Sequence, residues 1–407
     1  MSGNGKVKPL EGIRVLGVEN QVAGPYCTMM LAAQGAEVIK IEAPGRGDSA
    51  REMGPIIKND KGDKFSGYFL RFNRNKKGIT LDINSDKGKE IFKELVKKSD
   101  VVVENFRPGF MDKNGIGYKV LKEINPRLIY AAISGFGQME GYEGPYQKRT
   151  AFDMVVQAMG GLMHNVGEAD GPPNWLGIAL GDLYSGVMAA YGILLAIITR
   201  EKTGEGQFID SSMYDNIISL NERALTVYSL TGKVIGRGQE SLVYPIGPFK
   251  VKDGYIAMII PIESIWARLC ETIGRPELAN DERFNSGPKR AQNKDQLQPI
   301  LDEWLKDKTK KEAEELLLAG RVPVGIVQDA KDIFECPHAN ARKMFPEIEQ
   351  PPIGKVKVVD LPLKMSGVEK VQAGPAPLLG QHTDEVLTNV LNLSSDEIAK
   401  LREEKVI

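Results

Sequence analysis

Residues 13–42, IRVLGVENQVAGPYCTMMLAAQGAEVIKIE, decide the fold. Ile13 to Val18 is a short apolar run of strand length. Gln21-Val22-Ala23-Gly24-Pro25 turns the chain, and Pro25 suits the first turn of a helix, where its missing N–H costs nothing. Tyr26 to Ala33 reads as that helix, and Ala36 to Glu42 as a second strand. Strand, short helix, strand is a βαβ unit. Its crossover forces the two strands parallel and predicts an α/β sheet. No G-x-G-x-x-G follows the first strand, so the unit carries no dinucleotide fingerprint.

The pattern continues downstream. Ile79 to Ile83, Asp100 to Glu104 and Arg127 to Ile133 are further strands. Between the first two lies an amphipathic helix, Asp86 to Lys98, with Ile91, Phe92, Leu95 and Val96 on one face. The strands run into Asn105-Phe106-Arg107-Pro108-Gly109 and Ser134-Gly135-Phe136-Gly137-Gln138. In an open α/β sheet, ligands sit at such carboxyl ends. Lys76, Lys77, Arg107 and Lys113 lie near them and suit phosphates.

Gly177-Ile178-Ala179-Leu180-Gly181-Asp182-Leu183-Tyr184-Ser185-Gly186 leads into an apolar run, Val187 to Ile198, of helical length. Asp182 stands between a glycine-flanked turn and a helix expected to be buried. Two uses fit that position: capping the helix, or serving as a nucleophilic carboxylate where glycines let a ligand approach the backbone. Beyond Thr231 the composition changes. Gly232 to Gly247 is glycine-rich, Val251 to Ile259 holds an Asp-Gly hairpin signal, and charged helices and a strand at Val322 to Val327 follow. Residues 232–330 therefore read as a smaller α+β domain after a large domain at 1–231. A polar helix is expected at Thr383 to Glu404.

The bulk properties exclude several classes. A net charge of −1 over 407 residues argues against nucleic acid or an anionic membrane as partner. The longest apolar run is too short to span a bilayer. The basic, polar start from Met1 to Pro9 has no apolar core of a secretory signal, so a cytoplasmic protein is expected. Cys27, Cys270 and Cys336 form no C-x-x-C pair, and His164, His338 and His382 lie far apart, so no metal site is expected.

Several motifs recur in one order: Leu10-Glu11-Gly12-Ile13-Arg14-Val15-Leu16, Ala23-Gly24-Pro25, Gly35 to Glu42, Asn73-Arg74-Asn75-Lys76-Lys77, Val103 to Gly109, Ser134 to Gly137, Leu180-Gly181-Asp182 and Pro377 to Thr383. Together they resemble the family III CoA-transferases, the formyl-CoA and L-carnitine CoA-transferase type, over nearly the whole chain. The resemblance implies a Rossmann-like large domain that gathers both chain ends, including residues 331–407. It also implies a smaller domain from the middle and an interlocked dimer. It places the catalytic aspartate on Asp182. CoA contacts fall on Gln21, Val22 and Ala23, on Asn73, Arg74, Asn75 and Lys76, on Asn105, Phe106 and Arg107, on Lys113, and on Ser134, Gly135, Phe136 and Gly137. Formyl-CoA enzymes carry an arginine where this chain has Ala43, which leaves Arg46 as a substitute. They also carry a glycine run where Glu240 to Gly247 lies here, so oxalate and formate are not the expected substrates.

The implied reaction moves CoA from an acyl-CoA, succinyl-CoA being a reasonable donor, to a carboxylic acid through a covalent aspartyl intermediate. It needs no metal or resident cofactor; CoA is a substrate. The segment 236–247, with Tyr244, is expected to act as a lid. Two alternatives share the scaffold. An α-methylacyl-CoA racemase needs a histidine where this chain has Phe152. A non-catalytic CoA-binding subunit of a hetero-oligomer would not need Asp182.

Overall fold

The computed structural model describes residues 6–237 and 243–407. Six parallel strands form the main sheet: β1 (Arg14–Val18), β2 (Glu37–Glu42), β3 (Lys77–Thr80), β4 (Val101–Glu104), β5 (Ile129–Ser134) and β6 (Phe208–Ser212). Their order is β3-β2-β1-β4-β5-β6, the doubly wound order whose switch point lies between β1 and β4. A parallel sheet must be covered on both faces. Alternation along the strands achieves this. Leu16, Ile39, Val102 and Tyr130 join one core, and Val15, Val38, Val101, Val103 and Ile129 join the other.

The first core is closed by the helix α3 (Asp86–Lys97) and by two C-terminal helices, Thr383–Leu391 and Ser395–Glu403. The C-terminal pair corrects the expectation of a single polar helix. Asn392 breaks it in a left-handed conformation (φ 57°), and Ser394 restarts it with a capping box to Glu397. Val386, Leu387, Ile398 and Leu401 are buried, so the polar residues form only the outer face.

The second core is closed by α1 (Ala23–Ala32) and the 24-residue α7 (Leu180–Thr203). Gly186 is where they cross: a Cβ there would lie 2.8 Å from the Ala23 carbonyl oxygen. Between them in sequence come α2 (Gly67–Asn73), α4 (Phe110–Lys113), α5 (Tyr118–Ile124) and α6 (Asp153–Met159). The helix after Asp182 begins seven residues before Val187 and is longer than the apolar run. By length and composition it could cross a membrane, but its inner face, from Ser185 through Ile193 to Ala196, is packed in the core. The expectation that it is buried holds on that face only; Tyr191, Leu194, Leu195 and Ile198 are exposed.

The chain divides into two compact units, residues 6–234 with 343–407, and 235–342. The smaller unit runs past 330 because two short helices, Ala330–Glu335 and Pro337–Ala341, continue it. It holds an antiparallel sheet of β7 (Ile246–Val251), β8 (Gly254–Ile259) and β9 (Val324–Ile326), with β8 in the middle. Tyr244 is one of its core residues, packed near Phe249, with its carbonyl accepting from the fully buried Arg290 at 2.6 Å. That anchoring does not suit Tyr244 to a mobile lid. The middle of the expected lid, 238–242, lies outside the described residues.

Candidate active site

The carboxyl ends of β1, β4 and β5 open onto a cleft of about 270 Å³ at the switch point. Its lining comes from the loop after β1 (Asn20, Gln21, Val22, Ala23), the loop after β4 (Asn105 to Pro108), Ser134 and Gly135 at the end of β5, the segment 149–152, and Asp182. Eight of the expected CoA contacts thus share one cleft with the expected nucleophile: Gln21, Val22, Ala23, Asn105, Phe106, Arg107, Ser134 and Gly135.

Asp182 lies in the first turn of α7. The cap there is Ala179, with no side-chain hydrogen bond of its own. The expectation that Asp182 caps the helix is therefore corrected. The capping is done from a distance by Asp153, whose Oδ1 accepts the Gly181 N–H at 2.7 Å. Its Oδ2 accepts from Gln157 Nε2 at 2.7 Å and Trp175 Nε1 at 3.2 Å. With Asp153 satisfying the helix end, the Asp182 carboxylate accepts no hydrogen bond among the described residues. Burial, and secondarily the Asp153 charge, push its pKa up to about 7. The result is a desolvated, unencumbered carboxylate facing a cleft, the arrangement a nucleophile needs.

The loops are fixed by groups behind them. Asn20 N–H donates to Asn105 Oδ1 and Asn105 Nδ2 returns a bond to the Asn20 carbonyl, both at 2.9 Å, tying the β1 and β4 loops together. Gln21 has φ 63°, an unusual conformation for a non-glycine residue, and its N–H is held by Asp48 Oδ1 at 3.0 Å. Asp48 in turn pairs with the buried Lys40 at 2.9 Å. Glu104, pushed by burial up to about 7, accepts from Phe106 N–H at 2.7 Å and from Gln138 Nε2 at 2.8 Å, joining the β4 and β5 loops. Gly135 is required by close approach: a Cβ would lie 2.2 Å from the Ala151 Cβ.

The Asn73–Lys76 turn does not reach this cleft. Asn73 is buried and donates to the Phe69 carbonyl at 3.0 Å. Arg74 donates to the Val359 carbonyl, and Asn75 holds Gln372 and Gly374, mooring the C-terminal segment. Lys76 is buried, and its three donors go to Glu19 Oε1 (2.8 Å), the Pro25 carbonyl (2.9 Å) and Asn73 Oδ1 (2.9 Å). Its ammonium is thereby occupied, and burial depresses its pKa to about 8. The expected phosphate contact does not fit that placement. Lys113 is exposed at the end of α4 and does not line the cleft. Phe136 packs against Tyr146 and Tyr214, and Gly137 N–H donates to Ser134 Oγ, so both stand behind the lining.

Sequence reasoning missed Asn20, Asp48, Glu104 and Arg149. Asn20 adjoins the motif it supports. A charged residue inside an apolar strand, such as Lys40 or Glu104, was the signal for a buried network. Arg149 has no local signature. An adjoining cleft of about 370 Å³ shares Asn20, Gln21 and Phe106 with the first and is lined by Arg46 and Asn84.

The sequence matches the profile of CoA-transferase family III over residues 10–383. The chain belongs to CoA-transferase family III. It is 40% identical to a succinyl-CoA:mesaconate CoA-transferase of Haloarcula marismortui, over 93% of this chain and 95% of that protein. It is 35% identical to the human succinyl-CoA:glutarate CoA-transferase, over 97% of this chain and 89% of the other. A CaiB/BaiF family protein from Brucella suis has the same fold, with a TM-score of 0.85 and 32% identity, covering 95% of this chain and 100% of the other. As a family III CoA-transferase the chain is an enzyme that transfers CoA from an acyl-CoA to a carboxylic acid.

Proposed function

We propose that Asp182 carries this exchange as a covalent nucleophile, and that the thioesters exchanged are those of short dicarboxylic acids. The observation that carries the first part is the Asp182 carboxylate, desolvated, accepting no hydrogen bond among the described residues and sharing one cleft with three strand-end loops. An Asp182 oxygen attacks the thioester carbonyl and expels CoA thiolate, leaving a mixed anhydride. The thiolate attacks the aspartyl carbonyl and releases the donor acid, leaving an aspartyl-CoA thioester. The acceptor carboxylate then attacks that carbonyl, CoA leaves again as thiolate, and its attack on the acceptor's acyl carbonyl frees Asp182. Each bond formed replaces one of similar energy, so no external energy source is needed.

The two clefts together suit CoA. Arg46 in the second has no ion pair among the described residues and could meet phosphate, while Gln21 to Ala23 and Asn105 to Arg107 line the passage to Asp182. The substrate class rests on the relatives, whose names pair succinyl-CoA with mesaconate and with glutarate, all dicarboxylic. A racemase is disfavoured because Phe152, 62% exposed in the cleft wall, carries no proton. The exposed stripe Tyr191, Leu194, Leu195 and Ile198 on α7, spaced at helical intervals, supports burial against a second copy in an interlocked homodimer, which we place in the cytoplasm.

The test is direct. Purified protein with succinyl-CoA and a panel of carboxylic acids is analysed by mass spectrometry for new acyl-CoA species. New thioesters of dicarboxylic acids, lost in Asp182→Asn, support the reading. Solvent deuterium entering the α-carbon without CoA exchange would overturn it in favour of a racemase.

A further inference from the structure

A dicarboxylic substrate presents a problem that its reacting carboxyl does not. One end is consumed at Asp182, while the other stays ionised inside the same cleft of about 270 Å³. An unpaired carboxylate there loses its hydration without compensation. A cation near the nucleophile, fixed and not already paired, supplies that compensation and distinguishes a charged end from a neutral one.

Among the described residues the cleft lining contains two cationic side chains, Arg107 and Arg149. Arg107 sits on the β4 loop among the residues expected to hold CoA. Arg149 comes from the opposite side, on the segment 149–152 that Gly135 admits so closely. Its guanidinium forms no ion pair or side-chain hydrogen bond among the described residues. It is nevertheless positioned, stacked 4.1 Å above the ring of Tyr146, while the backbone N–H of Arg149 donates to the Tyr146 carbonyl at 2.8 Å. Tyr146 belongs to an aromatic platform with Phe136 (5.7 Å between ring centroids) and Tyr214 (6.4 Å). Phe136 is buried, and Tyr214 N–H donates to the Gly135 carbonyl at 3.0 Å, so the platform is built on the β5 loop. A planar guanidinium lying on a ring keeps its edge donors free for a carboxylate and loses little side-chain freedom on binding.

We infer that Arg149 is the specificity-determining residue of the acyl site, pairing with the distal carboxylate of a dicarboxylic acyl group while the proximal carboxyl reacts at Asp182. This rests on the proposed dicarboxylate transfer and adds the residue that selects for it. The platform sets the direction of the guanidinium, and the ion pair decides between a dicarboxylic acid and the monocarboxylic acid that lacks its distal carboxylate.

The experiment is a competition. One donor, succinyl-CoA, is supplied with glutarate and butyrate together, and the two product thioesters are quantified by mass spectrometry. Both acceptors attack the same enzyme-bound intermediate, so their ratio reports the second half-reaction alone. In Arg149→Gln the glutarate-to-butyrate ratio falls roughly 10- to 100-fold, the scale of one charge-assisted pair. Arg149→Lys restores part of it. Arg107→Gln raises the KM for the CoA thioester and leaves the ratio near the wild-type value. The residue is exposed on a loop, and matching melting curves establish that the variants fold. A ratio unchanged in Arg149→Gln overturns the inference, as does an equal loss with both acceptors, which would make Arg149 a CoA contact. A wild-type enzyme that transfers CoA to monocarboxylic acids alone also overturns it. One that transfers CoA to no acid refutes the parent reading instead.

Discussion

Replacing Asp182 by Asn should stabilise the free enzyme, by an amount that depends on pH. The carboxyl's pKa moves from an ordinary 3.8 to about 7 on folding. Below about pH 4 it is protonated in both states, and the substitution changes little. Between about pH 4 and 7 the unfolded chain releases the proton while the folded protein retains it, so the wild type loses stability as pH rises. Above about pH 7 the full cost of burying the charge is present. A displacement of roughly three units at 1.36 kcal/mol each sets a ceiling of about 4 kcal/mol, and structural relaxation leaves about 2–4. Asn keeps the side-chain size and forfeits no hydrogen bond, since the carboxylate accepts none among the described residues. Thermal melts of ligand-free wild type and Asp182→Asn from pH 5 to 8.5 measure this. The variant should melt roughly 2–5 °C higher at pH 8, with the difference shrinking toward pH 5. A variant less stable at pH 8, or a gain of the same size at both ends, would refute the reasoning that the site stores the cost of a buried carboxylate.

The same pKa bears on rate: single-turnover thiolate release from an acyl-CoA should rise with pH through about 7 and then level, as the attacking carboxylate ionises; a profile flat from pH 5 would contradict it. Lys76→Met removes the nearer cationic partner of the buried Glu19 and leaves Lys40 at 3.8 Å, so chemical denaturation should read a loss of about 3 kcal/mol, the low end for a broken buried pair. A variant of unchanged stability whose KM for acyl-CoA rises tenfold would instead make Lys76 a ligand contact. Gly135→Ala should lower kcat/KM by about tenfold, because its methyl would displace the 149–152 segment, and Ala151→Gly in the same chain should restore it.

The doubly wound sheet was legible because residues 13–42 carry a complete βαβ unit and because each later strand ends in a glycine or asparagine loop. Those loops led to the cleft for the same reason: a strand's carboxyl end in an open sheet can be placed from sequence alone. The roles of the basic residues were less legible. Lys76 and Arg107 look alike in sequence. One points inward to Glu19 and the other lines the cleft, and only the crossing of α1 over the sheet decides which. Capping was misread because Asp153, 28 residues before Gly181, supplies the acceptor that a local reading assigned to Asp182. The helix at Gly67–Asn73 went unseen because its seven residues follow an irregular segment with no apolar period. Arg149 depends on a platform assembled from Phe136, Tyr146 and Tyr214, which no short-range pattern reveals.

The central claim is that Asp182 itself bonds to the substrate. Enzyme incubated with succinyl-CoA, quenched with hydroxylamine and digested should yield an aspartyl hydroxamate on the peptide containing Asp182, absent from enzyme that never met the thioester and absent in Asp182→Asn. A hydroxamate on another acidic residue, or an Asp182→Asn enzyme that folds and transfers CoA near the wild-type rate, would contradict it.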